Sequence, residues 1–460
     1  MRKIISSRKL LQKESFFRGV SILASGTAGA QMLIVLASPL LTRLYTPDDF
    51  GALAVYAGIL SIITVFGCLR YEIAIPLPKY DTAAYNIMVV CSIILAFFTV
   101  IISIVMILWG GALFELLNVG AIQSFSWLIP VGLLFSGIYS ILKYWAIRKK
   151  RFQDVTMTKV NQSVAMVLIQ VVFFKFGAVV LLLGQAVGKS AGIIRLMKTI
   201  NLRDAASSVR LSRLKNLAIR YKNFPLFSTW TGIFNTVGNQ LPPLIFAAVF
   251  SSGAAGLYAL AHRVVAMPAS IVGQAVANVF LSSAPQARRD GNLDSLLFKV
   301  VLTLALLAFP VGVLMAVKAE FLFSLVFGES WREAGIYAAI LTPMLLMGFV
   351  TSPVTTLCAV LDKQFAGTIF QFSMMVVRII SIGLGVYLSD PVPALLSFSI
   401  SSACCYLVFL LWLTSSSGGS VIKLLGILFQ AFIISMLVLL TEYDFDYFEI
   451  LFESNSNINI

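Results

Sequence analysis

Long uncharged apolar blocks alternate with short polar segments along the whole chain. From Thr82 to Phe114, from Asn223 to Ala261 and from Pro391 to Ile422 there is no Asp, Glu, Lys or Arg. A helix needs about 20 apolar residues to cross roughly 30 Å of hydrocarbon, and several blocks are long enough for more than one pass. The blocks do not alternate apolar with polar positions as barrel strands do. Lipid offers no partner to a bare backbone, so they read as helices. The predicted spans are 19–42, 50–69, 84–109, 121–147, 155–174, 177–198, 225–250, 256–281, 295–318, 332–358, 365–388, 392–413 and 421–440. The expected fold is all-α and polytopic, with 12–14 spans.

Composition removes the soluble alternative. Of the 460 residues 59% are hydrophobic and 12% charged, against roughly 25% charged in a soluble domain. The uncharged stretch from Gly19 to Thr42 exceeds the roughly 7–15 residues of a cleaved signal core, so it is expected to stay as the first span. Cys68, Cys91, Cys358, Cys404 and Cys405 lie in apolar segments without CxxC spacing. They read as small core residues, and neither a metal nor a cofactor is expected.

The cations set an orientation. With the N-terminus cytoplasmic, the inside segments collect most of the 34 Lys and Arg, including Arg148-Lys149-Lys150-Arg151. The outside loops hold Arg43, Lys175, Lys318 and Arg332. This bias is the positive-inside pattern, and it accounts for the net charge of +14 without a nucleic-acid partner. If 421–440 crosses, the acidic tail (Glu442, Asp444, Asp446, Glu449) lies outside.

The basic segment near the middle divides the chain. Residues 1–200 form an N-terminal lobe of six spans, and 201–224 a cytoplasmic linker. Residues 225–413 form a C-terminal lobe of six more spans, and 414–460 an extra helix with the tail. In the linker Val209, Leu214, Leu217 and Tyr221 recur at helical spacing between cations. That pattern suits a short amphipathic helix on the anionic inner leaflet, or else a solvated linker. An internal repeat supports two lobes. Tyr45-Thr46 precedes Gly51 and Ala54, while Phe250-Ser251 precedes Gly256 and Ala259 at the same spacing. Gly29-Ala30-Gln31 and Gly238-Asn239-Gln240 stand at matching points upstream. Six spans per half relate the halves as a parallel repeat.

All twenty acidic residues fall in loops, tails or span ends, whereas Lys189, Arg263 and Arg378 fall within spans. Counted at ~1.5 Å per residue they lie roughly 10–20 Å deep, where a cation costs at least about 2.5–3.5 kcal/mol. Such cations point to a water-filled central cavity with an anionic ligand. The other reading is that each snorkels or binds carbonyls at a broken helix. Lys143 and Lys159 lie near enough to the cytoplasmic face to snorkel. The seventh span carries Asn235, Asn239 and Gln240 ahead of Pro242-Pro243. The two asparagines are four apart, hence on one face, and paired prolines bend a helix. This suits a cavity wall for sugar hydroxyls, or interhelical amide packing. Pro268, Gln274 and Asn278 continue the theme in the eighth span. Gly184 to Ser190 resembles a phosphate loop but has three residues, not four, between its glycines. His262 reads as a packed neutral histidine, and Thr46-Pro47-Asp48-Asp49 as a helix start. No catalytic constellation is present in this reading.

As an ordered set these segments resemble the polysaccharide (O-antigen and exopolysaccharide) flippases of the multidrug/oligosaccharidyl-lipid/polysaccharide exporter superfamily. The pieces are Gly26 with Pro39 through Gly51, Arg70-Tyr71-Glu72 with Ala74-Ile75 and Leu77-Pro78-Lys79, Tyr221 to Pro225, and Tyr258 through Arg263. The resemblance implies two six-helix lobes around a V-shaped central cavity. It implies that an undecaprenyl-diphosphate-linked oligosaccharide is carried to the outer leaflet of the bacterial cytoplasmic membrane. It also implies polysaccharide polymerase and chain-length regulator proteins as partners. In such relatives spans one, two, seven and eight line the cavity, which places Asn239 and Arg263 there and sets Arg18 and Arg70 near its inner mouth. A drug exporter of the superfamily would want intramembrane carboxylates. A membrane polymerase or ligase would want a large outside loop. A peptidoglycan-precursor flippase shares the anionic lipid ligand and stays open as a rival.

Overall fold

The computed structural model describes residues 25–201, 209–361, 363–387 and 390–437. Helices fill it, and no strand occurs among the described residues. By contacts the chain forms two compact units, through Leu260 and from Ala261 onward.

The first unit opens with α1 (Ser25–Leu44) and α2 (Pro47–Gly67). The turn between them follows from local chemistry. Thr46 Oγ1 accepts from the Asp49 amide at 3.3 Å, and Asp49 returns a carboxylate to the Thr46 amide at 2.9 Å. This reciprocal cap, with Pro47 in the first turn, fixes where α2 starts. A 3-10 turn, Tyr71–Ala74, follows α2. Then come α3 (Asp81–Leu116), α4 (Leu128–Arg148), α5 (Phe152–Val172), α6 (Ala178–Gly188) and α7 (Ile193–Met197). Arg148 holds the start of α3, giving Nε to Asp81 at 2.9 Å and Nη1 to the Pro78 carbonyl at 2.6 Å. Part of the basic run is thus structural.

The linker helix α8 (Leu211–Arg220) is strongly amphipathic and packs on α3. A π-helical turn, Phe224–Ser228, leads into α9 (Thr229–Val249), which stays helical through Pro242 and Pro243. Asn118 donates to the Ala247 and Ala248 carbonyls at 3.0 and 3.1 Å, partners that the last turn of a helix otherwise lacks. Helix α2 packs on α9, α4 and α6. The unit boundary falls inside α10 (Ser252–Arg289) because α9 and the first turns of α10 pack on α2.

The second unit holds the rest of α10, then α11 (Leu293–Phe327), α12 (Arg332–Thr351), α13 (Gln364–Val386), α14 (Pro391–Ser416) and α15 (Val421–Leu437). Helix α10 bends by 40° between Met267 and Ala269, where Pro268 removes a backbone donor. Helix α12 packs on α11 and α14, and α13 on α14. The predicted extra segment is built into this core: Leu424, Leu428 and Ala431 of α15 are buried with Leu297, Val301 and Leu304 of α11.

Among the described residues ten helices are long and apolar enough to cross a membrane, eleven with the bent α10. The two remaining predicted spans are α9, whose amides and hydroxyls lower its hydropathy, and the shorter α15.

Candidate functional site

In the first unit the site begins where α2 ends. Leu69 and Arg70 both take positive φ, 46° and 62°. This region costs a residue with a Cβ of order 1–3 kcal/mol. The tight reversal lays the Arg70 guanidinium on Gly232 of α9, where a Cβ would stand 2.5 Å from Nη2. Gly232, Asn235 and Asn239 follow each other at three and four residues, so they share one face of α9. Asn239 Nδ2 donates to the Asn235 carbonyl at 2.9 Å and to its Oδ1 at 3.2 Å. Both asparagines are exposed and Gln240 is half-buried. The amide stripe and Arg70 therefore lie on the same helix face.

Two residues after Arg70, Glu72 is buried at 7% exposure. Among the described residues Glu72 Oε2 and Arg70 Nε are buried without a hydrogen-bond partner. Burial pushes the Glu72 carboxyl above its ordinary value, against the opposing pulls of a backbone hydrogen bond, Arg70 and Lys143. Lys143 of α4 stands within electrostatic range of Lys159, Glu72 and Arg70. Lys159 of α5 gives its ammonium to Thr27 Oγ1 of α1 at 2.9 Å. Two cations, Arg70 and Lys143, thus act on one carboxyl, and Lys159 stands beside Lys143. Glu72, read as a loop acid, is buried within this group. The available signal was a charged pair, Arg70 and Glu72, inside the otherwise apolar run from Cys68 to Leu77.

The sign of the pH dependence follows. Below about 4.5, the ordinary value, Glu72 is neutral in both folded and unfolded chains and adds no pH-dependent term. As pH rises, the unfolded chain releases that proton first, so the folded state loses stability until the folded value is passed. Glu72→Gln is expected to raise the melting temperature near pH 8 and to leave it nearly unchanged near pH 4. Melting curves across that range check it; a variant that melts lower near pH 8 would mean that the cations hold the carboxylate charged.

Lys189 is placed apart from a continuous helix. Helix α6 ends at Gly188, Gly192 takes φ +80°, and Lys189 sits at the break. Its freed carbonyl accepts from Gln162 Nε2 at 2.8 Å. Arg18 lies outside the described residues.

The second unit brings together Arg263 and Arg378. Both are within electrostatic range of His262. Arg263 is half-buried on α10. Arg378 of α13 is 8% exposed. It donates from Nε to Ser402 Oγ at 3.3 Å and from Nη2 to the Tyr406 hydroxyl at 3.4 Å. It also lies over the Phe398 and Tyr406 rings, 5.6 and 6.0 Å from their centroids. Helix α14 therefore holds Arg378 from several sides.

Among solved structures, the lipid II flippase MurJ in an inward closed conformation matches over 91% of this chain and 92% of its own, at 12% identity and a TM-score of 0.72. An inward-facing multidrug resistance MATE family transporter of the MOP superfamily matches over 86% of this chain and 94% of its own, at 14% identity and a TM-score of 0.61. A MOP superfamily transporter from Pyrococcus furiosus, described by a reversed polarity of its binding pocket, matches over 87% of this chain and 96% of its own, at 14% identity and a TM-score of 0.54. At such identities the likeness shows a shared transporter fold. No curated protein sequence matches the chain. A family model described as polysaccharide biosynthesis protein matches residues 40–335, well over half of the chain, which therefore belongs to the polysaccharide biosynthesis protein family.

Proposed function

We propose that this chain flips an undecaprenyl-diphosphate-linked oligosaccharide from the inner to the outer leaflet of the bacterial cytoplasmic membrane, for surface polysaccharide assembly. The observation that carries the reading is the charge inside the bundle. Arg70 and Lys143 act on a single carboxyl in one unit, with Lys159 beside Lys143, and Arg263 and Arg378 both lie within electrostatic range of His262 in the other. A surplus of enclosed cations is stable when an anion shares the space, and a diphosphate supplies at least two negative charges. The exposed amides of Asn235 and Asn239, beside Arg70, suit hydroxyl-rich sugars. The lipid chain stays in the bilayer throughout.

The N-terminus is cytoplasmic in this proposal, and the carrier works by alternating access without catalysing a reaction. Its lobes are residues 1–200 and 225–413, joined by the basic linker 201–224. Packing of α9 and the start of α10 onto α2 belongs to one conformation of the cycle. Arg18 and Arg70 meet the diphosphate first, Arg263 and Lys189 add charge for it, Arg378 serves the scaffold of the second unit, and Gln240 adds to the amide wall. Polymerase and chain-length regulator proteins are its expected partners.

The test is transport in proteoliposomes of a fluorescent undecaprenyl-diphosphate oligosaccharide. Label becoming protected at the far leaflet supports the proposal. Transport of a peptidoglycan precursor with none of the oligosaccharide would reassign the substrate within the same chemistry. Equal transport of a lipid without phosphate would remove the role given to the cations.

A further inference from the structure

A second site lies between α3 and the linker helix α8. Val90, Ile93 and Ile94 of α3 face Leu214 and Ala218 of α8 across a groove of about 680 Å³, with Ser212 and Lys215 at its edge. A volume of this size falls within the roughly 300–1,000 Å³ of small-molecule sites. Two hydrogen bonds tie the linker to the body: Tyr71 gives its hydroxyl to the Ala218 carbonyl at 2.9 Å, and the Arg210 amide donates to Asn86 Oδ1 at 3.3 Å. Helix α8 is thereby held beside α3 with the groove between them. Ile93 is left 56% exposed, on a helix whose 36 residues reach ~54 Å, far beyond the ~30 Å of hydrocarbon.

The rim decides the occupant. From Val209 to Phe224 the chain carries Arg210, Arg213, Lys215, Arg220 and Lys222 and no Asp or Glu. Arg213, Lys215 and Arg220 are exposed. An apolar slot with Lys215 at its edge, on a helix whose charged side chains are all cationic, complements a molecule with a hydrocarbon chain and an anionic head. We infer that this groove is a binding site for an anionic phospholipid, with one acyl chain between α3 and α8 and the phosphate at Lys215. The site differs from that proposed for the transported lipid, and its occupant is a resident of the surrounding leaflet.

The experiment is native mass spectrometry of the full chain in detergent, titrated with phosphatidylglycerol or phosphatidylcholine of the same acyl chains. The native chain is expected to retain one phosphatidylglycerol in preference to phosphatidylcholine. Lys215→Gln should weaken phosphatidylglycerol about fivefold, as expected for one surface cation, and leave phosphatidylcholine unchanged. Ile93→Trp, or Val90→Phe should the first variant fold poorly, fills the slot and should abolish the retained lipid. Equal retention of both lipids, or retention undisturbed by either slot-filling variant, would overturn the inference. So would displacement of the lipid by water-soluble glycerophosphate, which indicates a bare anion site, or by an acidic amphipathic peptide, which indicates a protein partner. None of these outcomes depends on transport, so the site stands or falls separately from the proposed function.

Discussion

Gly51→Ala and Gly256→Ala are each expected to lower the stability of the chain by about 3 kcal/mol or more, the upper range of overpacking. A Cβ on Gly51 would stand 2.5 Å from the Ser252 carbonyl carbon and overlap its oxygen. One on Gly256 would stand 2.8 Å from the Gly51 nitrogen and overlap the Pro47 carbonyl oxygen. Both collisions are with backbone, so no side-chain rotation relieves them and the helix starts must separate. The caps are alike as well. Thr46 Oγ1 accepts from the amide three residues on, and Ser251 Oγ accepts from the Ala254 amide at 3.0 Å. Asp48 accepts a hydrogen bond from Ser252 across the contact. Two readouts check the prediction: thermal melting, and cross-linking of Asp48→Cys to Ser252→Cys, which should form in the native background and fail with either alanine. Gly29→Ala and Gly426→Ala, where an added Cβ meets nothing within 4 Å, should change neither. Alanine at 51 or 256 with native melting and native cross-linking would refute the close crossing.

That contact shows what the sequence carries and what it withholds. The repeat Tyr45-Thr46 to Gly51 and Phe250-Ser251 to Gly256 is plain in the letters, because cap, spacing and glycine are local properties. That the two copies lie against each other depends on tertiary packing and has no local mark. The spans are legible for a related reason: an apolar run of about 20 residues has few alternatives in lipid. Charge depth is less legible, since counting along a segment assumes one continuous helix. Lys189 shows the failure, for α6 stops one residue before it. The Arg70–Glu72 reversal was hidden further still. Leu69 and Arg70 take positive φ without glycine or asparagine to announce it. The burial of Glu72 depends on its turn packing against α3, α4 and the π-helical turn Phe224–Ser228, which no local pattern marks. Asn235 and Asn239 could be paired from their spacing alone, but their kinship with Arg70 rests on Gly232 giving the guanidinium room.

Arg263 and Arg378 should part company when each is removed. Arg378→Ala is expected to cost about 3 kcal/mol of stability, because hydrogen bonds to a charged group contribute ~1.5–3 kcal/mol each. It would also strand the Ser402 and Tyr406 hydroxyls and empty the space against two aromatic faces. Its transport should fall along with its melting temperature, and Arg378→Lys should restore little, since an ammonium cannot reproduce a flat guanidinium between hydroxyls and rings. Arg263→Ala should leave melting close to native, as a half-exposed side chain has less packing to lose. Its oligosaccharide transport should nevertheless fall about 30-fold or more, the equivalent of ~2 kcal/mol for an enclosed charge contact. Arg263→Lys should recover part of it, because a point charge still attracts a diphosphate. Measuring melting and transport on the same preparations separates a scaffold arginine from a ligand arginine. If Arg263→Ala transports normally, the substrate phosphates are held elsewhere, and Arg70 with Lys143 and Lys159 becomes the place to cut next. If instead Arg378→Ala keeps its melting temperature while transport collapses, Arg378 touches the substrate and its hydroxyl partners only steer it there.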